Sequence, residues 1–274
     1  MHGVAYDEVN DEMSIPVALG GAILVFRGGA NGPEAPLRVI QGSKTRLIRP
    51  QTIAVDPVHD EIMVGDTTAR AILVFDRKAH GDVAPKRVLY GDKTKLLDVV
   101  GVAVDPVRNV IVAASRSTTT TGIITFNRTD NGNATPRTII AGRNTGLAHF
   151  RQVAVDPASG RIFLAQQSMQ EKQLEPYRAD RPRPEEEFKK AQAASSGRVG
   201  PGFVGVWDID DNGDIAPRAL IQGPMSRLIA PGGIALDAKR GMVYAIDGGT
   251  SGYFAYHLPQ LFKEAWTNLS SGSR

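Results

Sequence analysis

Residues 52–75 read TIAVDPVHDEIMVGDTTARAILVF, and this stretch decides the fold. TIAVD (Thr52–Asp56) is a β-branched apolar run and predicts a buried strand. Asp56 and Pro57 open a turn, because proline presets φ and the Asp carboxylate accepts nearby backbone N–H groups. IMVGD (Ile62–Asp66) and AILVF (Ala71–Phe75) predict the second and third strands. After a turn at HGD (His80–Asp82), PKRVLYG (Pro85–Gly91) alternates basic and apolar residues, as suits an outer strand with one wet face. DKTKLLDVV (Asp92–Val100) then connects to the next copy of the unit.

The unit recurs along the chain. An Asp closes an apolar run at Asp7, Asp56, Asp105, Asp156 and Asp237, and an aromatic residue follows at Phe26, Phe75, Phe126, Trp207 and Tyr256, at separations of 19, 19, 21, 51 and 19 residues. Ten residues after the first four aromatics stand Pro36, Pro85, Pro136 and Pro217, and six further stand Gly42, Gly91, Gly142 and Gly223. Units of about 40–50 residues built from short strands are the signature of a β-propeller. The fold class expected is all-β, a propeller of about five four-stranded antiparallel blades over residues 1–257. Blades start near 3, 52, 101, 152 and 233, and a short helix and flexible tail occupy 258–274.

Two irregularities interrupt the register. No proline and glycine follow Tyr256, and Met1 and His2 are too few to supply a strand. The last blade is therefore expected to be incomplete, or the ring to have six blades if upstream sequence or a partner's strand completes it. Leu261, Phe262 and Trp266 have the spacing of a short helix over Leu258–Trp266. The long separation in the fourth unit marks an insertion at about 167–202. Its charged, Pro-punctuated composition reads as a solvated loop, with Glu185–Ala194 able to order as a helix on binding.

The 274 residues are 42% apolar and 22% charged, ordinary for a globular chain, and the net charge of +3 is too mild to argue for nucleic acid. The absence of cysteine excludes disulfides, thiolate nucleophiles and Cys-held metal. No apolar run reaches the length of a membrane-spanning helix. No leader-like segment opens the chain at Met1, which reads as a trimmed start.

The repeat resembles the NHL family, whose unit runs roughly P-x-G-I-A-V-D, I-Y-V-A-D, R-I-x-V-F. QTIAVDPVHDEIMVGDTTARAILVFDR (51–77) and GGIALDAKRGMVYAID (232–247) carry the likeness, which extends over Gly3–Tyr256. The further NGDxAPxRxIxG pattern is similar to that of a bacterial subset of such propellers. The resemblance implies a propeller, a secreted or periplasmic location, and any of several roles: binding platform, lyase or lactonase-like hydrolase. One departure concerns the Asp that ends the second strand. It is present at Asp66 and Asp247, but Val17, Ser115 and Gln166 replace it in the other units.

In a propeller the connectors into each blade and the loops between second and third strands share one face, the mouth. The ligand- or partner-binding candidates there are Gln51, Asp66, Arg70, Arg116, His149, Arg151, Gln152 and Asp247. Arg46, Arg49, Lys95, Arg143 and Arg227 lie on the same face. With few aromatics among them they read as solubilising charge, and nucleic acid is not an expected partner. The residue pairs opening the first strands are not acidic, which argues against a carboxylate-held axial metal. No cofactor is expected, and Ca²⁺ fits only the lactonase-like alternative. No G-x-S-x-G elbow is present, and GGANG and DGGTSG lack the Lys and helix of a phosphate loop. The five repeat Asp residues read as turn caps.

The leading expectation is a non-enzymatic protein- or ligand-binding scaffold using the mouth and the insertion. One alternative is a lactonase-like or lyase-like small-molecule enzyme using Asp66 and Asp247 with Gln51, Gln152 and His149. Another is a structural subunit of a larger assembly, with a partner supplying a strand to the open blade.

Overall fold

The computed structural model describes residues 3–117, 119–167 and 202–263. The body of the predicted insertion, the helix expected at Glu185–Ala194 and the tail with Trp266 lie outside the described residues.

Five antiparallel meanders follow one another. They are β1 (Ala5–Asp7), β2 (Glu12–Val17), β3 (Ala22–Arg27) and β4 (Arg38–Gln41); β5 (Pro50–Asp56), β6 (Glu61–Asp66), β7 (Ala71–Asp76) and β8 (Arg87–Leu89); β9 (Asp98–Asp105), β10 (Val110–Arg116), β11 (Gly122–Asn127) and β12 (Thr138–Ala141); β13 (Phe150–Asp156), β14 (Arg161–Gln166), β15 (Phe203–Asp208) and β16 (Ala219–Ile221); and β17 (Pro231–Asp237), β18 (Met242–Asp247) and β19 (Gly252–His257). The chain is a five-bladed β-propeller, and among the described residues the fifth sheet has three strands. The first strands of blades two and five start earlier than their apolar runs, because a bulge at Pro50/Thr52 and at Pro231/Gly233 carries pairing back into the connector.

The chain forms two compact units, residues 1–153 with 210–216, and residues 154–209 with 217–274. In the first unit, β7 shows why blades must stack. Ile72 and Val74 face Val102, Ile111 and Phe126 of blade three, while Leu73 and Phe75 face Ile23, Val25 and Ile40 of blade one. Period-two alternation sends neighbouring side chains to opposite faces, so a strand sandwiched between blades is apolar throughout. Each such side chain contributes about 1.5–3 kcal/mol on burial.

A second device joins blades in this unit. His80, Gly81 and Asp82, past the end of β7, lie parallel to β4 of blade one. The N–H of Gly81 donates to the Val39 carbonyl at 2.7 Å, and the N–H of Gln41 donates to the Gly81 carbonyl at 3.1 Å. The Val39 N–H donates to His80 Nδ1 at 3.2 Å, and the Lys44 N–H donates to Asp82 Oδ1 at 2.7 Å. Asn131, Gly132 and Asn133 clasp β8 in the same way, and Asn212, Gly213 and Asp214 clasp β12. The clasp glycines have φ of +79°, +67° and +93°, a region that costs a side-chain-bearing residue energy.

In the second unit, Phe163, Val206, Leu228, Val243 and Ala245 form the core, and Leu261 is buried among them. The helix expected over Leu258–Trp266 is, within the described residues, one 3-10 turn at Pro259–Phe262. The Phe262 ring stacks on Phe163 at 5.6 Å.

Candidate functional site: the connector face

The connectors between blades carry a short motif. Each of the first four connectors carries Gly-x-x-Thr/Ser-x-Leu, at Gly42–Leu47, Gly91–Leu96, Gly142–Leu147 and Gly223–Leu228. The buried hydroxyls of Thr45, Thr94, Thr145 and Ser226 donate to the carbonyl of that Gly at 2.6–2.7 Å and accept the N–H of that Leu at 3.1–3.3 Å. The residue in between is forced into a left-handed conformation. Gly146 takes it in one connector, but Arg46, Lys95 and Arg227 take it in the others, with φ of 61°, 61° and 59°. For a residue with a Cβ this conformation costs about 1–2 kcal/mol.

Asp66 then ties the connector to the sheet. It is fully buried, and Oδ2 accepts the N–H groups of Ile48 at 2.7 Å and Arg49 at 2.8 Å. Oδ1 accepts those of Thr68 at 3.1 Å and Ala69 at 2.8 Å. Asp247 repeats this in the second unit, with Ile229 and Ala230 on Oδ2 and the N–H and hydroxyl of Thr250 on Oδ1. Burial raises the Asp247 pKa above the usual carboxylate value, against those donors. Ser115 replaces the Asp in blade three and accepts one N–H, from Leu97 at 3.1 Å.

Both carboxylates therefore hold backbone donors. Arg70, exposed and at positive φ, shares the turn that Asp66 caps. Gln51 is half-buried in β5. Arg116 is paired with Asp98 at 2.5 Å. His149, Arg151 and Gln152 are half-buried at the start of β13. A Cβ on Gly101 would meet the Arg151 carbonyl at 2.8 Å, so β13 lies against β9 there. Asp247 belongs to the other compact unit. Among the described residues no three His, Asp or Glu side chains are grouped to hold a metal ion.

The exposed surface of blades one and two contains residues that the repeat pattern does not single out. Leu19, on the β2–β3 turn, is 97% exposed, and Ile48, on the connector, is 56% exposed. That turn sits on the connector: a Cβ on Gly21 would lie 3.2 Å from the Leu47 carbonyl. The Arg46 guanidinium lies over the ring of Tyr90, itself half-exposed, at 5.3 Å. The Thr67 N–H donates to the Arg49 carbonyl at 3.4 Å, which brings the turn with Arg70 alongside. Leu19, Arg46, Ile48, Arg49, Arg70 and Tyr90 thus belong to the connector between blades one and two or to segments that touch it. The available signal is an apolar residue inside a turn, Leu19 in VALGG.

On the opposite face the repeat Asp residues cap turns, as expected. Asp56 accepts the N–H groups of Val58 and His59, and Asp105 those of Val107 and Arg108. Their second oxygens take a side chain three residues on, His59 and Arg108 respectively. Two part-buried ion networks join blades here. Glu12 accepts Arg38 at 2.6 Å and Arg77 of blade two at 2.8 Å, and Glu61 accepts Arg87 at 2.7 Å and Arg128 of blade three at 2.8 Å. Those guanidinium partners outweigh desolvation and lower the Glu61 pKa from 4.5 to about 2.

No family model matches this chain, and no curated protein matches it in sequence. No helix among the described residues is long and apolar enough to cross a membrane. Solved structures do resemble it. Hydrazine synthase of Kuenenia stuttgartiensis superposes with a TM-score of 0.58 at 9% identity, over 89% of this chain and 54% of that one, so this chain spans about half its length. A chain of a nidogen/laminin complex superposes with a TM-score of 0.56 at 19% identity, over 94% of this chain and 80% of that one. Both are propeller proteins, and at these identities the likeness shows the shared β-propeller fold alone.

Proposed function

We propose that this propeller is a binding scaffold that takes an acidic, partly apolar segment of a protein on the mouth face of blades one and two. The observation that carries the reading is the Arg46–Tyr90 pair, with Arg46 in a left-handed conformation that Gly146 adopts without a Cβ. Lys95 and Arg227 take the same conformation at the equivalent positions, so the motif presents a basic side chain there in three of the first four connectors. Arg and Tyr are enriched in the anchors of protein interfaces, and Leu19 and Ile48 add apolar area that otherwise only faces water. Among the described residues Arg46, Arg49 and Arg70 have no acidic partner, which favours a carboxylate-bearing ligand. The lactonase-like alternative asks Asp66 and Asp247 to release backbone donors that they hold at both oxygens.

The test is selection of a displayed random-peptide library on the intact chain, repeated on Arg46→Glu and Tyr90→Ala. Enrichment of Asp/Glu-containing peptides that both variants lose is expected. Enrichment unchanged by either variant, or none at all, overturns the assignment to this surface.

A further inference from the structure

We infer that the outer edge of β16 in blade four is a docking site for a second copy of this chain, whose residues Asn31 and Gly32 supply the clasp. The argument starts from the three clasps of the first unit. In each, the clasp begins five residues after the blade's aromatic landmark: His80 after Phe75, Asn131 after Phe126, Asn212 after Trp207. Each covers the outer edge of the preceding blade's fourth strand, with four hydrogen bonds that use the same backbone positions.

Blade four has the receiving edge and no clasp among the described residues. Leu220 stands where Val39, Val88 and Ile139 receive theirs, and it is 43% exposed. A Cβ on Gly42, Gly91 or Gly142 would meet Asp82, Asn133 or Asp214 within 2.4, 2.7 and 2.3 Å, whereas one on Gly223 meets nothing within 4 Å. Met225, at the position of Lys44, Lys93 and Asn144, is 95% exposed. In blade five the residue five after Tyr256 is Leu261, which is buried in the core rather than laid on a strand edge.

Blade one has the complementary half. Asn31 follows Phe26 by five residues, Gly32 has φ +61°, close to the clasp glycines, and Asn31, Gly32 and Pro33 are all exposed. Among the described residues the Asn31 side chain makes no hydrogen bond. An exposed Asn-Gly pair whose glycine shares the positive φ of the clasp glycines is complementary to an edge that lacks such a pair, and an exposed strand edge is a template for pairing. Because the two surfaces differ, the contact is heterologous and adds copies in sequence. The donor is incomplete at its third position, where Pro33 offers no side-chain acceptor for the Met225 N–H.

Sedimentation velocity over a concentration series tests this on the whole chain. The mass is expected to rise with concentration. Pro33→Asp, which restores the acceptor, is expected to tighten association roughly five- to tenfold, the value of one hydrogen bond. Gly32→Val, which disfavours the left-handed turn, is expected to weaken it. So is Leu220→Pro, which removes an outward N–H and is tolerated at a sheet edge. A chain that stays monomeric in both the unaltered and Pro33→Asp forms overturns the inference, whether residues 264–274 or another protein fills the edge. Association that neither Gly32→Val nor Leu220→Pro changes, in variants with unaltered melting curves, overturns it as well.

Discussion

The carboxylate of Asp82, past the end of β7, accepts at 2.7 Å the backbone N–H of Lys44, on the connector that follows β4. The bond is exposed, so its loss does not exceed the range of an ordinary hydrogen bond. Asp82→Ala is expected to lower unfolding free energy by about 1 kcal/mol. Asp82→Asn should be nearly neutral, since Asn133 fills the same role towards Lys93 at 2.8 Å. Urea denaturation of the three forms checks this, and equal losses in both variants would assign the effect to charge rather than to the bond.

Val74 is fully buried between blades two and three. Val74→Asp places a carboxylate there without a partner, at a cost of several kcal/mol. The expected outcome is a chain that no longer melts cooperatively, read by near-UV circular dichroism. An unchanged transition would contradict the packing of β7 between its neighbours.

Asp66 holds four N–H groups, from Ile48, Arg49, Thr68 and Ala69. Asp66→Ala leaves these part-buried groups without their acceptor, so a loss of roughly 2–4 kcal/mol is expected from the cost of unsatisfied donors. Ser115→Ala removes one such bond, and its loss should be smaller. Thermal melts of the pair order the two effects, and the reverse order would refute the anchoring role of this position.

Glu61 supplies a pH signature. Its pKa falls from 4.5 to about 2 on folding, so the folded state holds its proton less tightly than the unfolded chain. The ion network is therefore fully stabilising above pH 4.5 and is lost as pH falls towards about 2. Glu61→Gln is expected to be less stable than the unaltered chain at neutral pH, because Arg87 and Arg128 lose their counter-charge. That gap should close as the medium is acidified through this window. A gap constant with pH would mean that Glu61 contributes packing and not charge.

The blade count, the strand faces and the Asp caps were legible in the sequence because each depends on neighbours a few residues away. Asp56 reaches Val58 and His59, and AILVF announces burial on both faces by having no polar member. The role of Asp66 was less visible. Its position at a strand end suits a site as well as an anchor, and only the bonds to Ile48 and Arg49 separate the two readings. Leu19 and Tyr90 carried no repeat signal, since what matters about them is exposure beside another connector.

By itself the sequence determined an array of about five β units, each with a capped turn and apolar faces that need neighbours. Periodicity is a local property, and burial enforces it residue by residue. The tertiary structure decided which polar groups meet across blades. The HGD-type turns proved to be clasps, and Arg46 came to lie over Tyr90. Those partners stand some 40 to 70 residues apart, as Lys44 and Asp82 or Ile139 and Asn212 do, and only the stacking of finished blades brings such groups within hydrogen-bonding distance.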